Sequence, residues 1–167
     1  VFIGGGNMGR ALLGGLIADG MPVQQLAVAE PDAIRRESLA SEFDMLTAAQ
    51  GADLVGGASV VVLAVKPQVL KPVAQALAGH FGTPLPLILS IVAGVTETDI
   101  ATWLGGDFPV VRSMPNTPAL VRQGISALHA NIQVSDAQRE QAQRILRAVG
   151  AVLWVQDEAL LDAVTAV

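Results

Sequence analysis

Short apolar runs recur along this chain, and longer mixed stretches separate them. Val1-Phe2-Ile3 runs into Gly4. Leu26-Ala27-Val28-Ala29 is closed by Glu30-Pro31-Asp32, and the charge-free, β-branched Val60-Val61-Val62-Leu63-Ala64-Val65 is closed by Lys66-Pro67. Leu87 to Val92, Val110 to Ser113, Ile125 to Leu128 and Val152 to Val155 have the same character, and Met45 to Thr47 is a weaker case. Runs this short and this rich in Val and Ile are expected to be strands buried on both faces. The stretches between them predict helices over Arg10 to Asp19, Ala33 to Phe43, Gln68 to Ala78, Glu97 to Leu104 and Asp136 to Val149. A shorter helical piece is expected at Ala52 to Gly56. Gly20 and Pro22 stop the first helix, and Thr96 is a plausible N-cap for the fourth.

Strands alternating with helices predict an α/β fold: a Rossmann-type, doubly wound, mostly parallel sheet with helices on both faces. No internal repeat or low-complexity linker divides the chain. One domain is expected over residues 1–155. Residues 156–167 open a helix at Asp157 that is apolar on most sides, and such a helix expects burial. It reads as the entry to a further domain.

Composition narrows the function classes. Hydrophobic residues make up 51% of the 167 and charged residues 15%. Strands buried on both faces account for part of that excess, and an uncovered partner surface would account for the rest. No apolar run approaches the roughly 18 residues of a membrane span, and no basic leader is visible. The formal net charge is −5 with no basic stripe, which argues against nucleic acid as a partner. The absence of Cys excludes disulfides and thiolate chemistry and suits a reduced, cytoplasmic setting. His80 and His129 lie far apart without metal-ligand spacing, so no metal site is expected and both read as surface or turn residues.

On such a sheet, ligands lie beyond the carboxyl ends of the strands. After the first strand stands Gly4-Gly5-Gly6-Asn7-Met8-Gly9, a G-x-G-x-x-G pattern in strand–turn–helix context. Gly4 suits the tight turn, Gly6 lets a pyrophosphate reach the backbone, and Gly9 lets the helix pack on the strand. The helix N-terminus then attracts the phosphates. Glu30 follows the second strand, 21 positions beyond Gly9. An acid there commonly accepts a ribose 2′-OH and favours NAD. Arg35 and Arg36 stand close by as possible partners of a 2′-phosphate, so NADPH and NADH both remain open as the cofactor. Lys66, after the fourth strand, is placed where a phosphate or ribose would pass, with Pro67 fixing the exit direction. Gly94 permits close approach to a nicotinamide. Two prolines stiffen the polar pair Asn116-Thr117 after the sixth strand. No nucleophile elbow or partnered His is present, so no catalytic side chain is assigned. Hydride transfer requires only that donor and acceptor be held face to face.

These motifs in this order resemble pyrroline-5-carboxylate reductase. The resemblance rests on Phe2 to Gly9, on Leu63-Ala64-Val65-Lys66-Pro67-Gln68, on Ser90 to Thr96, on Arg112-Ser113-Met114-Pro115-Asn116-Thr117-Pro118-Ala119, and on Asp162 to Ala166. It implies NAD(P)H-dependent reduction of the C=N bond of 1-pyrroline-5-carboxylate to L-proline, the last step of proline biosynthesis. It implies that Gly4 to Gly9 hold the pyrophosphate and that Ala64, Val65, Lys66 and Pro67 line the ribose and nicotinamide side. Ala93 and Gly94 would approach the nicotinamide, with Asn116 and Thr117 near it on the cleft floor. It also implies a helical C-terminal domain that binds the imine substrate and forms a homo-oligomer. Glu30-Pro31 departs from the polar or basic pair of many relatives, which puts NADP preference in doubt. The competing readings are a beta-hydroxyacid dehydrogenase-like reductase and a non-catalytic dinucleotide-binding module.

Overall fold

The computed structural model describes residues 1–164. Eight strands form one sheet in the order β3-β2-β1-β4-β5-β6-β7-β8. They are β1 (Phe2–Ile3), β2 (Ala27–Ala29), β3 (Leu46–Ala48), β4 (Val60–Leu63), β5 (Leu87–Ser90), β6 (Val110–Pro115), β7 (Gly124–Ala130) and β8 (Gly150–Trp154). Strands β1 to β6 are mutually parallel, β7 is antiparallel to β6, and β8 is parallel to β7. The helices are α1 (Asn7–Ala18), α2 (Ala33–Phe43), α3 (Pro67–Leu77), α4 (Glu97–Leu104), α5 (Asp136–Arg147) and α6 (Ala159–Val164). The fold is therefore the expected Rossmann-type doubly wound sheet. The chain reverses across the sheet between β1 and β4, the crevice where such folds bind ligands.

Alternation along each strand sorts the core into two layers. Phe2, Val28, Val62, Leu89 and Val111 pack with Leu12, Leu16, Leu39, Ile145 and Leu146, from α1, α2 and α5. Ile3, Val61, Leu63, Ile88 and Val110 face Leu70, Leu77, Ile100 and Leu104, from α3 and α4. Leu161 of α6 is buried against Met114 and Ala127.

Local chemistry sets the helix limits. Asp32 accepts the Arg35 N–H at 2.8 Å to cap α2, and the Thr96 hydroxyl accepts the Asp99 N–H at 3.1 Å to cap α4. Ser135 and Gln138 form a reciprocal capping box on α5. That helix is pinned to β8 by Trp154, whose Nε1 donates to Gln143 at 2.9 Å beneath the Arg139 guanidinium. Three expectations shift. The helical piece expected at Ala52 to Gly56 is two short 3-10 turns, Gly51–Asp53 and Val55–Gly57. The first helix begins at Asn7, inside the glycine motif, because only the turn at Gly4 interrupts the chain after β1. Met114 and Pro115 belong to β6, paired with Ala127 and Ser126. The last three residues of the expected terminal helix lie outside the described residues.

One polar cluster breaks the apolar layer on the α3–α4 face. Leu63, Ser90, Arg112 and His129 stand in register across β4 to β7. Arg112 Nη1 donates to Glu158 Oε1 at 2.9 Å, and the same oxygen accepts the Glu97 N–H at 2.8 Å. His129 Nδ1 lies 2.7 Å from Glu97 Oε1. His129 is thus neither a turn nor a surface residue. It is a half-buried strand residue partnering an acid that the sequence places on a distant helix. Burial pushes the Glu97 carboxyl above the usual carboxylate range, partly opposed by the His129 hydrogen bond. A carboxyl raised in the folded state binds protons more tightly there than in the unfolded chain, so stability falls as pH rises from the unfolded towards the folded pKa. We expect urea midpoints to show this fall just above the ordinary glutamate range. Glu97→Gln keeps an acceptor for His129 and should flatten that segment; an unchanged slope would contradict the assignment.

Candidate functional site

Five strands in the order β2-β1-β4-β5-β6 present their carboxyl ends side by side. At the usual strand spacing they span about 19 Å, an extended groove rather than a closed cavity. Every residue expected to bind cofactor lies on a loop at this end, or in the first turn of a helix that leaves it.

The glycines of the first loop differ in what fixes them. Gly4 has φ +103°, and a Cβ there would stand 2.5 Å from the Ala64 carbonyl oxygen. That position needs glycine both for its left-handed backbone and for the close approach of β4. A Cβ on Gly9 would stand 2.7 Å from the Gly4 carbonyl oxygen, so the first turn of α1 rests on the loop backbone. On Gly5 it would meet Leu39 Cδ1 at 2.3 Å. Gly6 meets nothing within 4 Å, so internal packing does not require glycine there. Gly6 is the N-cap of α1 and supplies no side-chain cap. Among the described residues, the N–H groups of Asn7, Met8 and Gly9 find no acceptor. Three unpaired donors at a helix N-terminus, beside a position left open by a missing side chain, form a ready anion cradle.

The remaining loops complete the groove. Glu30 directly follows β2 and is buried, with its carboxylate turned towards the glycine loop: Oε2 accepts the Gly5 N–H at 2.9 Å. Arg35, in the first turn of α2, is half-exposed with Nη1 3.4 Å from Glu30 Oε2. Ala64 and Val65 are half-buried beside Gly4, and Lys66 and Pro67 are exposed as the N-cap and first residue of α3. Ala93 and Gly94 are exposed in the turn before α4, where Gly94 has φ +71°. Asn116 and Thr117 are exposed beyond β6. Asn116 also has a structural task, since its Oδ1 accepts the Ile125 N–H at 2.8 Å and holds the start of β7.

Arg36, the other arginine considered for a 2′-phosphate, is turned to the backbone instead: its Nη1 donates to the carbonyl oxygens of Glu30 at 2.8 Å and Pro31 at 3.2 Å. Sequence reasoning missed the Arg112–Glu158–Glu97–His129 cluster. The signal for that cluster was Arg112 itself, the one charge inside a buried strand, which burial obliges to find an acid. A cavity of about 600 Å³ lies at the opposite, amino ends of β1, β2 and β4, lined by Gln24, Gln25, Gln141 and Arg144 among others. Its lining includes Gly57 and Arg144 but no α-helix N-terminus, whereas the groove gathers the glycine loop and the open amides of α1, the chemistry for an anionic ligand.

The glycine geometry separates fold from binding. Gly6→Val should leave the unfolding free energy within about 1 kcal/mol of the parent while abolishing dinucleotide binding. Gly9→Ala should cost about 1–3 kcal/mol in stability, because its methyl group meets fixed backbone. Equal destabilisation by the two variants, or retained binding by Gly6→Val, would contradict this division.

Comparison with known proteins places the chain in a family. A pyrroline-5-carboxylate reductase of Pseudomonas aeruginosa is 53% identical over 166 residues, which is 99% of this chain and 60% of that protein. The structure of a pyrroline-5-carboxylate reductase from Coxiella burnetii superposes with TM-score 0.96 at 37% identity, covering 99% of this chain and 62% of that one. The Plasmodium falciparum pyrroline carboxylate reductase, solved with NADP bound, shares the fold with TM-score 0.79 at 22% identity, covering 95% of this chain and 58% of that one. The chain thus spans about 60% of the length of these relatives. Residues 1–94, from the glycine loop through the turn at Gly94, match the family described as "NADP oxidoreductase coenzyme F420-dependent". With more than half its length matched, including the whole anion cradle, the chain belongs to that family.

Proposed function

We propose that this chain is the dinucleotide-binding part of a pyrroline-5-carboxylate reductase, which reduces the C=N bond of 1-pyrroline-5-carboxylate to L-proline with NADPH or NADH. The observation that carries the reading is the cradle of open amides at Asn7, Met8 and Gly9 beside the vacant side-chain position of Gly6, in a chain 53% identical to a protein of that name. Bound nicotinamide dinucleotide supplies the hydride.

The chain's own residues bind and orient. The first-turn amides and the α1 dipole hold the pyrophosphate, and Glu30 and Arg35 stand at the adenosine ribose side. Ala64, Val65, Lys66 and Pro67 line the middle of the groove. Gly94 carries no side chain, so Ala93 and Gly94 let the ring lie against the turn before α4. Asn116 and Thr117 bring polar groups to the far end. On this reading the chain contributes no catalytic side chain. Residues 1–155 form the dinucleotide unit, and residues 156–167 lead into a helical domain that supplies the imine site and the homo-oligomeric contacts. A cytoplasmic setting belongs to the same reading.

The test compares two lengths of the protein. The chain alone should bind NADPH or NADH saturably, followed by nicotinamide fluorescence, and should not oxidise it when pyrroline-5-carboxylate is added. The same chain extended to the length of its relatives should turn over and yield L-proline. Binding without imine reduction at full length would sink the proposal.

A further inference from the structure

Glu30 stands where a ribose acceptor is expected, yet its carboxylate faces inwards. The residue is 3% exposed. Oε2 accepts the Gly5 N–H at 2.9 Å and Oε1 accepts the Asp32 N–H at 3.1 Å. Arg36 holds the same turn through the Glu30 and Pro31 carbonyls. Leu39 packs so closely over Gly5 that a Cβ there would overlap it. The loop is therefore fixed from above by an apolar side chain and from the side by a carboxylate.

Arg35 is held differently. Its side chain is half-exposed, and Nη1 lies 3.4 and 3.5 Å from the two Glu30 oxygens. Those distances exceed the about 2.7–2.9 Å of a well-formed charge-assisted bond. Among the described residues, Glu30 is the only partner its guanidinium finds. The other charges nearby are committed: Asp32 Oδ1 caps α2 by accepting the Arg35 N–H, Arg36 is spent on carbonyls, and Arg10 is paired with Glu42.

Resting on the reading of this groove as a dinucleotide site, we propose that Glu30 positions the glycine loop and that Arg35 selects a dinucleotide carrying a 2′-phosphate. An acid after β2 then does not signal NAD, because its burial withholds it from the ribose. A planar guanidinium matches a phosphate bidentately, and a long contact to Glu30 is a weak one to exchange for it. Selectivity comes from one guanidinium rather than from the local net charge, in which Glu30 and Asp32 offset Arg35 and Arg36.

The experiment titrates the parent chain and three variants with NADPH and NADH, with 2′,5′-ADP and 5′-AMP as competitors. The parent should bind NADPH about tenfold or more tightly than NADH, and 2′,5′-ADP should displace it better than 5′-AMP. Arg35→Ala should bring the two dinucleotides within about threefold of each other, with NADPH weakened more than NADH. Arg35→Lys, which keeps the charge but loses the fork, should fall between. Glu30→Gln should weaken both dinucleotides in the same proportion and speed hydrogen exchange of the Gly5 amide in the ligand-free protein. A parent that favours NADH, an unmoved ratio in Arg35→Ala, or a Glu30→Gln variant that loses NADH selectively would overturn the inference while leaving the dinucleotide site intact. Failure of the parent to bind either dinucleotide would overturn the site itself, and the inference with it.

Discussion

The Gly4 carbonyl and the Gly9 α-carbon approach so closely that a single methyl group would part them. That contact seats the first turn of α1 directly on the end of β1. From it follows the direction in which the amides of Asn7, Met8 and Gly9 point. Gly4 in turn is pressed against the Ala64 carbonyl, so the positions of β4 and of the α3 entrance depend on the same loop. The Glu30 carboxylate closes the arrangement by holding Gly5 to the end of β2. Three adjacent strands thus meet through one short turn, and the anion cradle is the part of that turn left unfilled.

A second constraint acts at the other end of the groove. Arg112 is the one charge in β6, and a buried charge without a partner is costly. Glu158 meets it and, through the same carboxylate oxygen, holds the Glu97 amide at the start of α4. His129 holds the Glu97 side chain. This cluster ties the turn that carries Ala93 and Gly94 to β6, β7 and the segment entering α6. It adds polar links between elements that Ile100, Leu104 and Val110, and Leu161, Met114 and Ala127, already join through apolar contacts.

Much of this was legible in the sequence. Charge-free β-branched runs such as Val60 to Leu63 announce strands covered on both faces, and the glycine spacing announces the turn, because both depend on local chemistry. The exact agreement of α2 and α4 with expectation follows from caps that lie within three residues of each helix start. Non-local facts were not legible. Nothing near His129 in the chain indicates Glu97, and nothing near Glu30 shows that its carboxylate turns towards Gly5 rather than outwards. The orientation of a side chain depends on what the fold brings beside it, here Leu39 and the amides of Gly5 and Asp32. The extension of β6 through Met114 and Pro115 likewise depends on pairing with β7, which begins nine residues later.

The central claim is that the amides at the start of α1 form the anion-binding surface of this chain. Amide chemical shifts followed by nuclear magnetic resonance during titration with NADPH test it residue by residue. The account predicts saturable shifts largest at Gly5, Gly6, Asn7, Met8 and Gly9, with smaller ones at Ala64 to Lys66 and at Ala93 and Gly94. Shifts confined to Gln24, Gln25, Gln141 and Arg144, around the cavity at the opposite end of the sheet, would contradict it.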